Sequence, residues 1–238
     1  LNEQGLSTDL IQNDLILRTG TVDVHLDETR TATYTINKPA AWDAIELNQA
    51  MLQAVRESDA LIYGSLATRS EGSDQTLKAL LKEARFKVFD MNLRPPHYSM
   101  DKLIEFLRLA DLIKLNEEEL EELASHLQLS GESIDQKMGQ VTKWLSKEIT
   151  LCVTRGAEGA QLFLKNKMYI NPGYPVKVAD TVGAGDSFLA TLCYQILSGN
   201  SPQESLDTAC AIGSLVASKE GAIPRIAQNE IDLLVGNL

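Results

Sequence analysis

Two kinds of hydrophobic patterning divide this chain. Val22, Val24 and Leu26 alternate with polar residues, Asp27-Glu28-Thr29-Arg30 makes a turn, and Ala32, Tyr34 and Ile36 resume the alternation. Period-two patterning on both sides of a polar turn predicts an antiparallel hairpin with one covered face and one wetter face. After Pro39 the period changes. Helical spacing over 45–57 leads to the apolar run Ala60-Leu-Ile-Tyr-Gly64. Similar spacing over 73–85 leads to Phe86-Lys-Val-Phe-Asp90, and over 101–109 to Leu112-Ile-Lys-Leu115. A charged helix over 117–127 and another over 133–147 precede the strand Ile149-Thr-Leu-Cys-Val153. A hairpin with strands at 160–164 and 167–170 follows, and helices over 185–198, 203–218 and 228–236 close the pattern. Leu1-Asn-Glu-Gln-Gly-Leu6 reads as the end of a helix running into a loop.

Short apolar strands alternating with helices of about 10–15 residues predict an α/β fold with a parallel sheet covered on both faces. In such sheets ligands bind beyond the carboxyl ends of the strands. The polar residues at those ends are Ser65, Asp90, Asn92, Arg94, Asn116 and Thr154. Their convergence points to a small-molecule enzyme. No internal repeat, low-complexity segment or interdomain linker is visible, and one domain over 1–238 is expected, with the hairpin at about 20–37 as a small lid.

Charge narrows the class further. A formal net charge of -11 argues against nucleic-acid binding, which calls for a basic patch or stripe. A nucleotide remains compatible, because backbone dipoles and a bound Mg²⁺ supply a local positive field. Cys152, Cys193 and Cys210 lie in apolar runs without metal-ligand spacing. They read as small buried thiols, and their odd number fits a reducing cytoplasm. No run of about 18 apolar residues is present to span a membrane, and the first residues do not look like a signal peptide. His25, His97 and His126 show no ligand pairing, and none is assigned to catalysis.

The chemistry concentrates in Asp180-Thr-Val-Gly-Ala-Gly-Asp-Ser-Phe188, a small-residue turn between two aspartates that runs into a helix. The backbone N–H groups of Gly183, Ala184 and Gly185 are unhindered, and a helix start leaves its first N–H groups unpaired. That geometry suits an anion, with the Asp186 carboxylate beside it to take a proton. The alternative is a tight strand-to-helix connection with Asp186 as a dipole-favoured first-turn acid. No Gly-Lys-Ser/Thr follows the turn, so it is not a Walker A loop, and no Gly-x-Gly-x-x-Gly follows any strand. Asn116-Glu-Glu-Glu119 has the form of a capped helix start. Thr154-Arg-Gly-Ala-Glu-Gly159 has the form of a glycine-rich turn. Ala209, Gly213 and Ala217 make a small-residue stripe that admits either a neighbouring helix or a flat base.

Taken together, these segments resemble the ribokinase-like (phosphofructokinase B) carbohydrate kinases over nearly the whole chain. Asp180-Thr-Val-Gly-Ala-Gly-Asp186 looks like that family's C-terminal signature. The resemblance implies a three-layer α/β/α fold with a mostly parallel central sheet and a small β lid. It implies Asp186 as the base for a sugar hydroxyl and Gly183, Ala184 and Gly185 as an anion hole for the transferring phosphoryl group. Asn116 and Glu119 match the family's Asn-x-x-Glu, which organises Mg²⁺ and phosphate, often through water. Thr154, Gly156 and Gly159 match the turn along the nucleotide, with Ser214 nearby, and Gly221-Ala-Ile-Pro224 matches the region closing over adenine. Asp180 and the Val182 carbonyl correspond to a K⁺ site in some members, with loop anchoring by Asp180 the equal alternative.

Thr19-Gly-Thr-Val, Pro39-Ala-Ala-Trp-Asp43, Gly64-Ser-Leu-Ala-Thr-Arg69 and Asp90-Met-Asn-Leu-Arg94 look most like the fructokinase branch. This places Arg94 and Asn92 near sugar or phosphate, with a surface arginine beside Pro95-Pro96 the alternative for Arg94, and Trp42 either near the site or anchoring the chain crossing. The implied activity is ATP-dependent phosphorylation of a sugar primary hydroxyl, fructose to fructose 6-phosphate. A kinase of another small substrate (a keto-deoxy sugar acid, ribose or a nucleoside) and a non-catalytic nucleotide-binding module are the alternatives. In many members the lid forms a dimer clasp, which implies a homodimer. The family's N-terminal strand region, which carries a Gly-Gly-x-x-x-Asn segment and the groups that hold sugar hydroxyls, is not found in these 238 residues.

Overall fold

The computed structural model describes residues 5–26 and 32–236. Strands β1 (Val22–Leu26) and β2 (Ala32–Ile36) form the expected antiparallel pair, with Val22 opposite Ile36 and Leu26 opposite Ala32. The turn assigned to 27–30 and the start of the chain assigned to a helix end, 1–4, lie outside the described residues.

A separate sheet of six strands carries the rest of the fold. Its spatial order follows the chain: β3 (Leu61–Gly64), β4 (Lys87–Asp90), β5 (Leu112–Asn116), β6 (Thr150–Thr154), β7 (Ala160–Leu164) and β8 (Lys167–Asn171). β3 to β6 are parallel, and β7 and β8 continue the sheet antiparallel. Successive residues of the parallel strands feed opposite faces. Phe89, Ile113, Leu151 and Val153 join one core with residues of α2 (Glu71–Glu83), α3 (Met100–Leu109), α4 (Glu117–His126) and α5 (Ile134–Leu145). Val88, Leu112 and Cys152 join the other with α6 (Ala184–Leu197) and α7 (Pro202–Ala217). Helix α8 (Gln228–Val235) packs on α7. This is the sheet with helices on both faces that the continuous apolar runs imply.

The three cysteines are buried and unpaired, and burial pushes all three thiols up, as expected of small apolar fillers. Among the described residues, no helix is long and apolar enough to cross a membrane.

One helix departs from its expected extent. Of the stretch 45–57 only α1 (Gln49–Glu57) is helical; Ile45 is extended and follows a 3-10 turn at Ala41–Ala44. Asn48 divides them: its side chain accepts the Met51 N–H at 2.9 Å. An asparagine that caps a helix from outside cannot also sit inside one. The other element ends shift by one or two residues, within the normal fraying of helix and strand ends.

The hairpin is rooted by buried polar contacts. Arg69 donates to both Asp43 carboxylate oxygens and to the Asn37 carbonyl just after β2. Its guanidinium lies 5.5 Å from the Trp42 ring centroid. A Cβ on Gly20 would stand 2.5 Å from the Trp42 ring, so only glycine lets the entering strand cross the indole. Trp42 therefore anchors the crossing of the chain into the hairpin, the second of its two expected roles.

Candidate active site

The parallel strands end along one edge, and the polar residues there brace one another. Asn116, last in β5, caps α4 by accepting the Glu119 N–H at 2.8 Å. Glu119 returns one carboxylate oxygen to the Asn116 N–H at 2.8 Å and gives the other to the Leu93 N–H at 2.7 Å. This one buried carboxylate thus ties the loop after β4 to the end of β5. Asn92 lies in that loop at φ +36°, and its carbonyl accepts the Ser65 hydroxyl from the end of β3 at 3.3 Å. Thr154, last in β6, is the register partner of Asn116.

The glycine turn enters from the other side. Gly183 is the residue before α6, in the left-handed conformation at φ +80°. A Cβ there would lie 2.2 Å from the Ala222 carbonyl oxygen. The segment 221–224 thus packs on the glycine turn, and it does not line the cleft described below. Asp180 anchors the same loops, accepting the Val182 N–H at 3.0 Å and the Gly221 N–H at 3.3 Å. The Ala184 N–H donates a long 3.3 Å bond to the Thr181 carbonyl, whereas Gly185 and Asp186 follow in the first turn, where helical partners do not exist. The Asp186 side chain is exposed at this helix start.

Between the two sides lies a cleft of about 510 Å³. Thr154, Gly156, Gly159, Ala184, Gly185 and Ser214 all line it, so six of the residues singled out from the sequence converge. Gly159, at φ +79°, could carry no side chain, since a Cβ would fall 2.1 Å from the Asn171 carbonyl oxygen. The small-residue stripe on α7 divides between core and cleft. Ala209 is buried against the sheet, while Gly213 and Ala217 face the cleft, and Gly213 also lets α6 approach. Arg94 is not among the cleft residues; it is exposed, and its guanidinium donates to the Leu93 carbonyl at 2.9 Å.

Lysine 114 is the residue that sequence reading passed over. It sits inside β5, 7 % exposed, with its ammonium 3.1 Å from Asp90 Oδ1. A Cβ on Gly185 would lie 3.5 Å from that ammonium, so the lysine reaches beneath the glycine turn. Burial pushes the Asp90 carboxyl up; Lys114 opposes this, and the Glu119 and Asp186 charges add to it. The signal was a lysine in an otherwise apolar, doubly covered strand, a position where an amine needs a reason to be.

A model of the pfkB family carbohydrate kinases matches residues 1–229. The chain belongs to that family. Fructokinase-2 of Solanum habrochaites is 28 % identical over 256 aligned positions, covering 99 % of this chain and 76 % of that protein. Fructokinase-2 of Zea mays is 27 % identical over 191 residues, covering 74 % of this chain and 55 % of its own. The chain thus spans about half the length of the maize relative. Among solved structures, a Vibrio cholerae O395 fructokinase bound to fructose, ADP and calcium superposes with a TM-score of 0.80 at 26 % identity. The match covers 99 % of this chain and 79 % of that one. An ATP-bound fructokinase from Xylella fastidiosa has a TM-score of 0.85 at 21 % identity, which speaks for the fold.

Membership of the pfkB family implies a nucleotide and a metal ion, and the donor set decides how a metal could be held. Among the described residues no group of three His, Cys, Asp or Glu side chains is placed to bind one. Both Glu119 oxygens already accept backbone N–H groups. These residues therefore do not form an all-protein cage. With both oxygens engaged, Glu119 could meet a metal ion only through water. Asp180 accepts one N–H on each oxygen and so ties Val182 to Gly221.

Proposed function

We propose that this chain is an ATP-dependent sugar kinase, acting on a primary hydroxyl and converting fructose to fructose 6-phosphate. The observation that carries this reading is the convergence of a 510 Å³ cleft on a glycine turn whose next residue is an exposed carboxylate. The fructose and ADP bound by the Vibrio cholerae relative support the choice of sugar and nucleotide.

In this reading the nucleotide lies in the cleft, its phosphates along the 154–159 turn and its base toward Ser214 and Gly213. The sugar oxygen attacks the terminal phosphorus while Asp186 takes the hydroxyl proton. The bond to the bridging oxygen breaks, and ADP leaves with the electron pair. Transfer of this kind runs through a loose transition state, so placement and charge stabilisation do most of the work. The amides of 183–185 supply it at the equatorial oxygens, preorganised by the left-handed Gly183. Mg²⁺, when bound, offsets the charge of the phosphates. K⁺ is assigned to the 180–182 loop, and the lid hairpin to shielding the sugar and to a homodimer contact.

Loss of a general base costs about 10²- to 10⁴-fold in turnover. Asp186→Asn is expected to lower kcat by that factor in a coupled ADP-release assay while ATP affinity, read by calorimetry, stays within about twofold. Unchanged turnover overturns the assignment of the base. The same assay across sugars fixes the substrate, and a clear preference for a keto-deoxy acid or a nucleoside over fructose replaces the sugar named above.

A further inference from the structure

Lysine 114 occupies an electrostatically unfavourable position that the fold does not explain. Its side chain is more than nine-tenths buried, and of its three ammonium hydrogens only one has a partner among the described residues, Asp90 Oδ1. Its Nζ lies under the first turn of α6, where the helix dipole already presents partial positive charge. A buried cation is stable only when its charge and its hydrogens are matched. The charged and titratable groups around it are Asp90 on β4, Glu119 on α4, Asp186 on α6 and its register partner Cys152 on β6. Glu119 is spent on two backbone amides, Asp186 faces solvent, and burial holds the Cys152 thiol neutral. Asp90 is left as the single direct counter-charge.

Gly185 supplies the second half of the argument. With no side chain at that position, the ammonium lies close under the turn, where the Gly185 N–H has no helical partner and the Ala184 N–H makes only a long bond. An anion seated on the turn meets backbone N–H groups and a desolvated ammonium with hydrogens to spare. We infer that Lys114 is a further phosphate-binding residue of this site, its ammonium held by Asp90 beneath Gly185 to engage the terminal phosphoryl group of the nucleotide. The inference rests on the kinase reading above for the identity of the anion.

ATP and ADP differ by that phosphoryl group, so the ratio of their affinities isolates the contribution. Calorimetric titrations with Mg²⁺–ATP and Mg²⁺–ADP are run on the unaltered chain, on Lys114→Arg, and on Lys114→Met combined with Asp90→Asn. The double change avoids stranding a buried carboxylate, and Lys114→Gln replaces it should it not fold. A charge-assisted hydrogen bond in a dry site is expected to carry about a tenfold effect. Removal of Lys114 should therefore lower the ATP-to-ADP affinity ratio by about tenfold, through ATP, with ADP affinity little changed. Arginine should retain most of the preference. A ratio within about twofold of the original in a folded variant lacking the lysine overturns the assignment while leaving Asp186 and the kinase reading intact. Absence of ATP binding by the unaltered chain overturns both.

Discussion

At the scale of single residues, two neighbouring glycines separate fold from chemistry. Gly183 has the left-handed backbone and a carbonyl where its Cβ would be. Alanine there must adopt a conformation costing about 1–2 kcal/mol and displace the 221–222 segment as well. Gly185 is helical and exposed, and its Cβ would make only an ordinary contact. Alanine at 185 is expected to raise stability by about 0.5–1 kcal/mol, the usual helix gain over glycine. It also puts a methyl group over the Lys114 ammonium and beside the amides proposed to hold phosphate. Thermal melts and coupled assays on both variants should diverge. Gly183→Ala is expected to lose stability and turnover together, whereas Gly185→Ala gains stability and loses turnover by about tenfold or more. In sequence the two glycines belong to one small-residue turn, read either as an anion cradle or as a tight strand-to-helix connection. Their different burdens were not legible there, since those come from Ala222 and Lys114, distant in the chain.

At the scale of elements, strands and helices declared themselves through period, and the one misjudged stretch, 45–57, failed where a side chain competed with the backbone at Asn48. The strand ends were legible as polar breaks in apolar runs. What links them was not, because Glu119 looks the same in sequence whether it caps a helix or reaches another loop. It does both. Removing the cap alone, Asn116→Ala, should cost about 1 kcal/mol. Glu119→Ala strands the buried N–H of Leu93 and the half-buried N–H of Asn116, a buried group costing about 1–3 kcal/mol when left unpaired. Urea unfolding is expected to rank Glu119→Ala well below Asn116→Ala in stability, with a loss of about 2–4 kcal/mol. Equal losses would mean that Glu119 serves only its own helix. Arg94, expected either at a ligand or on the surface, is exposed, and its guanidinium bonds the neighbouring Leu93 carbonyl.

At the scale of the whole molecule, the hairpin and the six-stranded sheet meet through the Arg69–Asp43 pair rather than through shared strands. The side chains are 2 % and 6 % exposed, and Trp42 closes over them. Burial pushes the Asp43 carboxyl up, but the Arg69 guanidinium and the Ala40 N–H outweigh it and hold the group below the ordinary carboxylate value. A carboxyl with a depressed folded value contributes stability that is complete above its unfolded value, near 4. That contribution is lost as pH falls through the lower folded value. Breaking a buried pair from one side costs about 3–5 kcal/mol; asparagine keeps part of the hydrogen bonding, so Asp43→Asn should cost about 2–4 kcal/mol at pH 7. Because other acid-titrating groups are common to both proteins, the difference between their unfolding free energies isolates this one. That gap should stay level from about pH 8 to pH 5 and close below about pH 4. A gap that persists unchanged to pH 2 would show that Asp43 matters through packing and neutral hydrogen bonds, and that charge does not hold the hairpin to the sheet.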